Sequence, residues 1–92
     1  MKYTVKKTSA FKRDYKRAQK RGLDLTRLQK VVTLLANGMP LPESLHDHSL
    51  SGNWTHHREC HIAPDWLLIY QVCEDVLILE LTRTGSHTDL FS

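Results

Sequence analysis

The stretch R-E-C-H-I-A-P-D-W-L-L-I-Y-Q-V-C, residues 58–73, reads as two strands folded back on each other. Ala63-Pro64-Asp65 supplies the turn, because proline fixes its own φ and aspartate bonds nearby backbone N–H groups. Trp66 to Cys73 has the apolar density of a central strand. Upstream, the alternation extends from Trp54 to Ile62. Trp54, His56, Arg58, Cys60 and Ile62 fall on one side, and Thr55, His57, Glu59 and His61 on the other. Downstream, Glu74-Asp75 turns the chain into a last strand, Val76 to Thr82. Three strands with short connections predict an antiparallel meander.

The N-terminal half has a different period. Lys2 to Lys7 alternates around Tyr3 and Val5 and predicts a short first strand. Ser9 suits an N-cap, and a helix should run from about Ala10 to Arg21 and stop at Gly22. Asp24 then caps a second helix, Leu25 to Asn37, with Leu25, Leu28, Val32 and Leu35 as its core stripe and Gly38 at its end. Pro40 to Asn53 reads as a polar loop, and Gly85 to Ser92 as a short tail with room for one helical turn. The expected fold is α+β: an N-terminal strand and a helical hairpin packed on a small antiparallel sheet, with a short C-terminal element. Residues 1–92 are read as a single domain, since a chain this short holds one core.

Charge is unevenly placed. Residues 1–30 carry eleven Lys and Arg against two acids, a balance of +9, while residues 31–92 carry two arginines against eight acids, a balance of −6. On the first helix, Lys12, Arg13, Lys16, Arg17, Lys20 and Arg21 fall within one half of the circumference, opposite Phe11, Tyr15 and Ala18. Such a face suits a polyanion, though a solvated surface has the same pattern. No apolar run reaches the ~20 residues of a membrane span, and Met1 to Ser9 lacks a signal-peptide core. The chain is therefore expected in the cytoplasm. Cys60 and Cys73 are expected as buried thiols rather than a disulfide.

All six histidines lie after residue 45. Histidine takes and gives a proton near neutrality, since its unperturbed pKa is about 6.5. His61 and Asp65 face each other across a tight turn, where the carboxylate can hold the imidazole's tautomer, or else simply cap backbone N–H groups. His48 lies in the loop and His87 just past the last strand. Arg83, at that strand's end with no adjacent acid, suits a phosphate, because its planar fork matches two phosphate oxygens. Trp66 and Phe91 can stack on a base or pack in the core. A base for the 2′-hydroxyl, an acid for the leaving oxygen and a cation for the phosphate describe a metal-free ribonuclease, with no cofactor. Zinc is the competing use of H-D-H at 46–48 and H-H-x-x-x-H at 56–61. The spacing is poor for it, because His56 and His57 project to opposite faces of a strand. Cys60 and His61 are likewise strand neighbours on opposite faces, which argues against a Cys–His nucleophile.

These motifs together resemble the RelE/ParE superfamily of toxins, specifically its YafQ branch. The resemblance runs through F-K-R-D-Y-K-R-A-Q-K-R (11–21), L-x-x-H-x-L (45–50), S-G-N-W (51–54), R-E-C-H-I-x-P-D-W-L-L-I-Y (58–70) and R-T-G-S-H-x-x-L-F (83–91). It implies a RelE-like microbial ribonuclease fold and an endoribonuclease that cuts messenger RNA in the ribosomal A site. It also implies a cognate antitoxin protein as partner, with the ribosome and its RNA as the other. The positions it marks as functional match His48, His61, Asp65, Trp66, His87 and Phe91, with Arg83 at the place of an arginine used by RelE-type toxins. His57 departs from the aromatic residue expected on that strand, and His56 has no counterpart. Within the superfamily the ParE branch shares the fold but poisons gyrase, and generally lacks this histidine set. A non-catalytic RNA-binding module is the remaining alternative.

Overall fold

A computed structural model describes residues 1–91 and contains a five-stranded sheet with three α-helices. The order along the chain is β1 (Thr4–Lys7), α1 (Ser9–Lys20), α2 (Leu25–Ala36), β2 (His48–Ser49), β3 (Arg58–Ala63), β4 (Trp66–Cys73), β5 (Ile78–Gly85) and α3 (His87–Phe91). Across the sheet the order is β1-β5-β4-β3-β2. The meander β3-β4-β5 is antiparallel, as its short turns require. The sheet as a whole is mixed, because β1 lies parallel to β5 and is joined to the meander through the helical hairpin.

The helices form where the periodicity places them, with adjusted ends. Thr8, not Ser9, caps α1: its hydroxyl accepts from the Phe11 N–H at 2.9 Å. Asp24 caps α2, accepting from the Thr26 N–H at 3.1 Å. Gly22 and Gly38 stand just past the two helices at φ of +74° and +70°, the left-handed conformation that ends a helix and that glycine adopts without strain. Phe11 and Ala18 of α1 and Leu28, Val31 and Ala36 of α2 pack on Cys60, Ile62, Leu68, Tyr70, Leu79 and Leu81 of the sheet. Fully burying a side chain of the Leu or Phe kind contributes about 1.5–3 kcal/mol, so this layer is the main source of stability. The opposite face carries a smaller cluster, in which Leu90 of α3 closes on Leu67 and Ile69 beside Leu50 and Trp54. Trp66 to Tyr70 is therefore buried on both faces, which explains its unbroken apolar run.

Three boundaries differ from the sequence expectation, and each bears on the site. The strand expected from Trp54 starts only at Arg58. Gly52–Trp54 forms a 3₁₀ turn, and His56 then adopts φ 71°, so the alternation from 54 to 57 belongs to a loop. The expected loop around His48 contains β2, in which His48 pairs with Glu59 and Ser49 with Arg58. The last strand starts later and runs further than Val76 to Thr82. Val76 and Leu77 are exposed in the turn, while Arg83, Thr84 and Gly85 pair with Ile69, Leu68 and Leu67.

Candidate active site

At one end of the sheet the β3–β4 turn meets the start of α3. Asp65 is aimed at His87, not at His61. Its Oδ1 accepts from the His87 backbone N–H at 3.0 Å and lies 2.7 Å from the ring Nδ1. Sequence separation hid this pairing: β5 returns to β4 with Gly85 opposite Leu67, which delivers residue 87 to the turn. The backbone N–H and then the ring of His87 hold the Asp65 carboxyl below its ordinary range. With Nδ1 as the donor, Nε2 is left to face solvent or substrate, on a ring that is half exposed.

His61 lies beside that pair. Its ring centroid is 5.8 Å from that of His87 and 5.8 Å from that of His46. The three imidazoles thus form a row, with His61 in the middle. His61 Nδ1 is buried without a hydrogen-bond partner, the one such side-chain atom among the described residues. His46 owes its place to a φ of 49° at the end of a 3₁₀ turn, Glu43–Leu45. Histidine is among the few side chains enriched in that conformation. In sequence His46 stands out only as a possible metal ligand; no periodic signal marks a residue placed by one turn.

His48 sits on the neighbouring strand. Its Nε2 lies 3.2 Å from Glu59 Oε1, and its Nδ1 3.2 Å from the carbonyl of Ser49. Glu59 is 5% exposed. Paired residues of antiparallel strands project to one face, and alternation puts Glu59 and His61 together, so His48, Glu59 and His61 share a face. By the strand rise, His48 is displaced about 7 Å along β3 from His61. Glu59 was legible only as a position on the correct side of that strand.

Two expected roles need correction. Trp66 is 4% exposed, and its Nε1–H donates to the Thr84 hydroxyl at 2.9 Å. The burial of β4 on both faces removes it from any stacking surface. Phe91 is 46% exposed and stands edge-on to Trp54, with centroids 6.4 Å apart, so Trp54 replaces Trp66 as the aromatic neighbour. Arg83 does not offer an unpaired fork. Because β5 continues past it, the side chain meets α1, where Nε and Nη2 donate to Asp14 at 2.6 and 3.1 Å. Asp14, 4% exposed, also accepts from Arg17 at 2.9 Å and from the Thr84 N–H at 3.1 Å.

The cationic half of α1 is divided in the same way. Lys12, Arg13, Lys16 and Lys20 are exposed. Arg21 donates to both oxygens of Asp89 at 2.7 and 3.3 Å, and Arg17 lies 3.7 Å from the same carboxylate. Arg21 and the Ser86 N–H together hold the Asp89 carboxyl far below its usual range. These two arginines therefore fasten α3 to α1. Neither cysteine forms a disulfide, and burial pushes the Cys60 thiol up to about 12, which makes it inert as a nucleophile. Among the described residues no three His, Cys, Asp or Glu side chains gather as a metal site. Nor is any of the described helices long and apolar enough to cross a membrane.

The chain as a whole is similar to known proteins. The profile of a family described as a bacterial toxin of type II toxin–antitoxin systems, YafQ, matches residues 3–92. The chain belongs to the YafQ family. The mRNA interferase toxin YafQ of Escherichia coli K12 is 41% identical over 88 residues, covering 95% of this chain and 94% of the relative. The toxin in the crystal structure of the E. coli DinJ–YafQ toxin–antitoxin complex superposes with a TM-score of 0.89 at 38% identity, over the full length of both chains. A metal-bound toxin from Helicobacter pylori superposes with a TM-score of 0.91 at 43% identity, covering 97% of this chain and 99% of that one. The RelE-like α+β fold and the YafQ membership anticipated from the motifs are thus established. This chain is a type II toxin–antitoxin toxin by family.

Proposed function

We propose that this chain is an endoribonuclease, an mRNA interferase that cuts messenger RNA in the ribosomal A site and so stops translation. The observation that carries the reading is the Asp65–His87 pair with His61 beside it, at the end of a sheet whose N-terminal helix is cationic. The reaction is a transesterification. A histidine takes the proton of the ribose 2′-hydroxyl, the freed oxygen attacks the adjacent phosphorus, and the bond to the 5′-oxygen breaks. A second, protonated histidine gives its proton to that leaving oxygen. The products are a 2′,3′-cyclic phosphate and a 5′-hydroxyl.

His87 and His48 are the acid–base pair, while His61 and Asp65 position the scissile phosphate and hold the His87 ring. Proton transfer of this kind contributes about 10²–10⁴-fold. Protonated imidazoles carry the charge that develops on phosphorus, and Arg83 contributes to the local positive field while it braces β5 against α1. Phe91 stacks on the nucleotide. No metal ion is required by this sequence of steps. Lys12, Arg13, Lys16 and Lys20 hold ribosomal RNA, where attraction is largely electrostatic. A single-domain toxin of this kind acts in the cytoplasm and is neutralised by a cognate antitoxin protein.

Induced expression followed by primer-extension mapping of mRNA 5′ ends tests the proposal. Growth arrest with new ends inside translated codons is the expected result. Intact mRNA together with inhibited gyrase would show a ParE-like activity instead.

A further inference from the structure

On the far side of His61 from His87 lies a cavity of about 450 Å³, walled by the start of α2, the Glu43–Leu45 turn and the end of β3. Its polar lining is Arg27, Ser44, His46 and His61, with no carboxylate in the wall. We propose that this cavity is a second nucleotide subsite, which holds the phosphate of the mRNA residue adjoining the scissile one. The proposal rests on the nuclease reading above and extends it from the reacting bond to the flanking nucleotide.

Three features converge on an anion. Arg17, Arg21, Arg58 and Arg83 are all paired with carboxylates, whereas Arg13 and Arg27 take part in none of the side-chain hydrogen bonds or ion pairs among the described residues, and of these two it is Arg27 that lines this cavity. Asp24 lies close enough to feel its charge, but the Asp24 carboxylate is engaged with Thr26 as the helix cap. A free guanidinium fork beside a hydroxyl and an imidazole is a phosphate-recognition set. Secondly, the imidazoles of His46 and His61 both line the cavity, and a ring N–H there can donate to a phosphate oxygen. Thirdly, His61 touches both His46 and His87, so its ring is the partition between the cavity and the Asp65–His87 pair. An RNA strand with one phosphate at His87 can place a neighbouring phosphate in the cavity beyond His61.

The test removes the charge from each side in turn. Ribosome-bound mRNA is made with a neutral methylphosphonate at the linkage on either side of the cut, and cleaved by wild type, Arg27→Gln and Arg27→Lys. One methylphosphonate position should slow the wild type about ten-fold or more, as should Arg27→Gln on normal mRNA. The two together should be no worse than either alone, and Arg27→Lys, which restores the charge but not the planar fork, should recover only part of the loss. Additive losses, or wild-type cleavage by Arg27→Gln, overturn the subsite. Binding to ribosomes without mRNA should be unchanged in Arg27→Gln; a parallel loss there assigns Arg27 to ribosomal RNA and also overturns it. If the wild type cuts no ribosome-bound mRNA, the nuclease reading fails separately. The subsite then stands or falls on NMR with a trinucleotide carrying 2′-deoxyribose. His46 ring resonances should shift in the wild type and not in Arg27→Gln, and unshifted resonances overturn it.

Discussion

The carboxylate of Asp65 grips His87 at two points, the backbone N–H at 3.0 Å and the ring Nδ1 at 2.7 Å. One group thereby sets where α3 begins and which ring nitrogen faces outward. Asp65→Asn should cost about 10-fold or more in cleavage rate, because the His87 ring loses the carboxylate that fixes its tautomer and orientation. The Asp65 carboxyl lies below its ordinary range in the folded chain. It therefore stays ionised through the whole range in which histidines titrate, and the stability it contributes is lost only as pH falls through the acid carboxylate range. The pH–rate profile of the wild type should accordingly show histidine limbs and no carboxylate limb near neutrality. A carboxylate limb above about pH 6 would contradict this assignment.

His87→Gln removes a proton-transfer partner while keeping a polar side chain of similar reach. Toxicity and single-turnover cleavage should fall by about 10²–10⁴-fold with the fold intact, and His48→Ala should do the same if both ends of the reaction need a proton carrier. Cleavage by the wild type should persist in EDTA. Loss of activity on chelation, restored by zinc, would make the histidines ligands instead. Wild-type rates from His87→Gln would shift the acid–base role to His61.

The exposed cations of α1 should act through salt-sensitive binding. Changing Lys12, Arg13 and Lys16 to Gln should weaken ribosome co-sedimentation and flatten its dependence on log[salt] by roughly 0.7–0.9 for each phosphate no longer neutralised. Arg17 and Arg21 belong to a different experiment, because they hold Asp89. Asp89→Ala should loosen α3, seen as faster hydrogen exchange at Leu90 and a lower Tm. The Asp89 carboxyl is depressed in the folded state, so its contribution is complete above the ordinary carboxylate range and is shed as pH falls. Wild type and Asp89→Ala should converge in stability in acid. A constant gap down to pH 2 would show that the ion pair is not what holds α3.

Asp14 should be the most sensitive surface-helix position. It is buried and binds Arg83, Arg17 and the Thr84 N–H at once. Asp14→Ala leaves a half-buried guanidinium and a buried backbone N–H unpaired, which costs about 1–3 kcal/mol. Urea unfolding should show this as a large fall in midpoint. A change under about 1 kcal/mol, as for an exposed pair, would place the network at the surface in solution.

The local pattern of the chain determined its elements. Period-3.6 stripes ended by Gly22 and Gly38 made the hairpin, and the unbroken Trp66–Tyr70 run made the central strand, because both signals come from neighbours in sequence. The histidine set, its motif spacing and the YafQ resemblance were legible for the same reason. Tertiary structure alone decided which of these residues meet. His61 and Asp65 are four apart, yet Asp65 binds His87 because β5 returns beside β4. Arg83 had no adjacent acid in sequence, yet Asp14 reaches it from α1, 69 residues away. Trp66 was an aromatic beside the motif until burial on both faces enclosed it, and His46 became a site neighbour through one left-handed residue. Pairings of this kind depend on register and layer order, which the folded sheet sets and no local window contains.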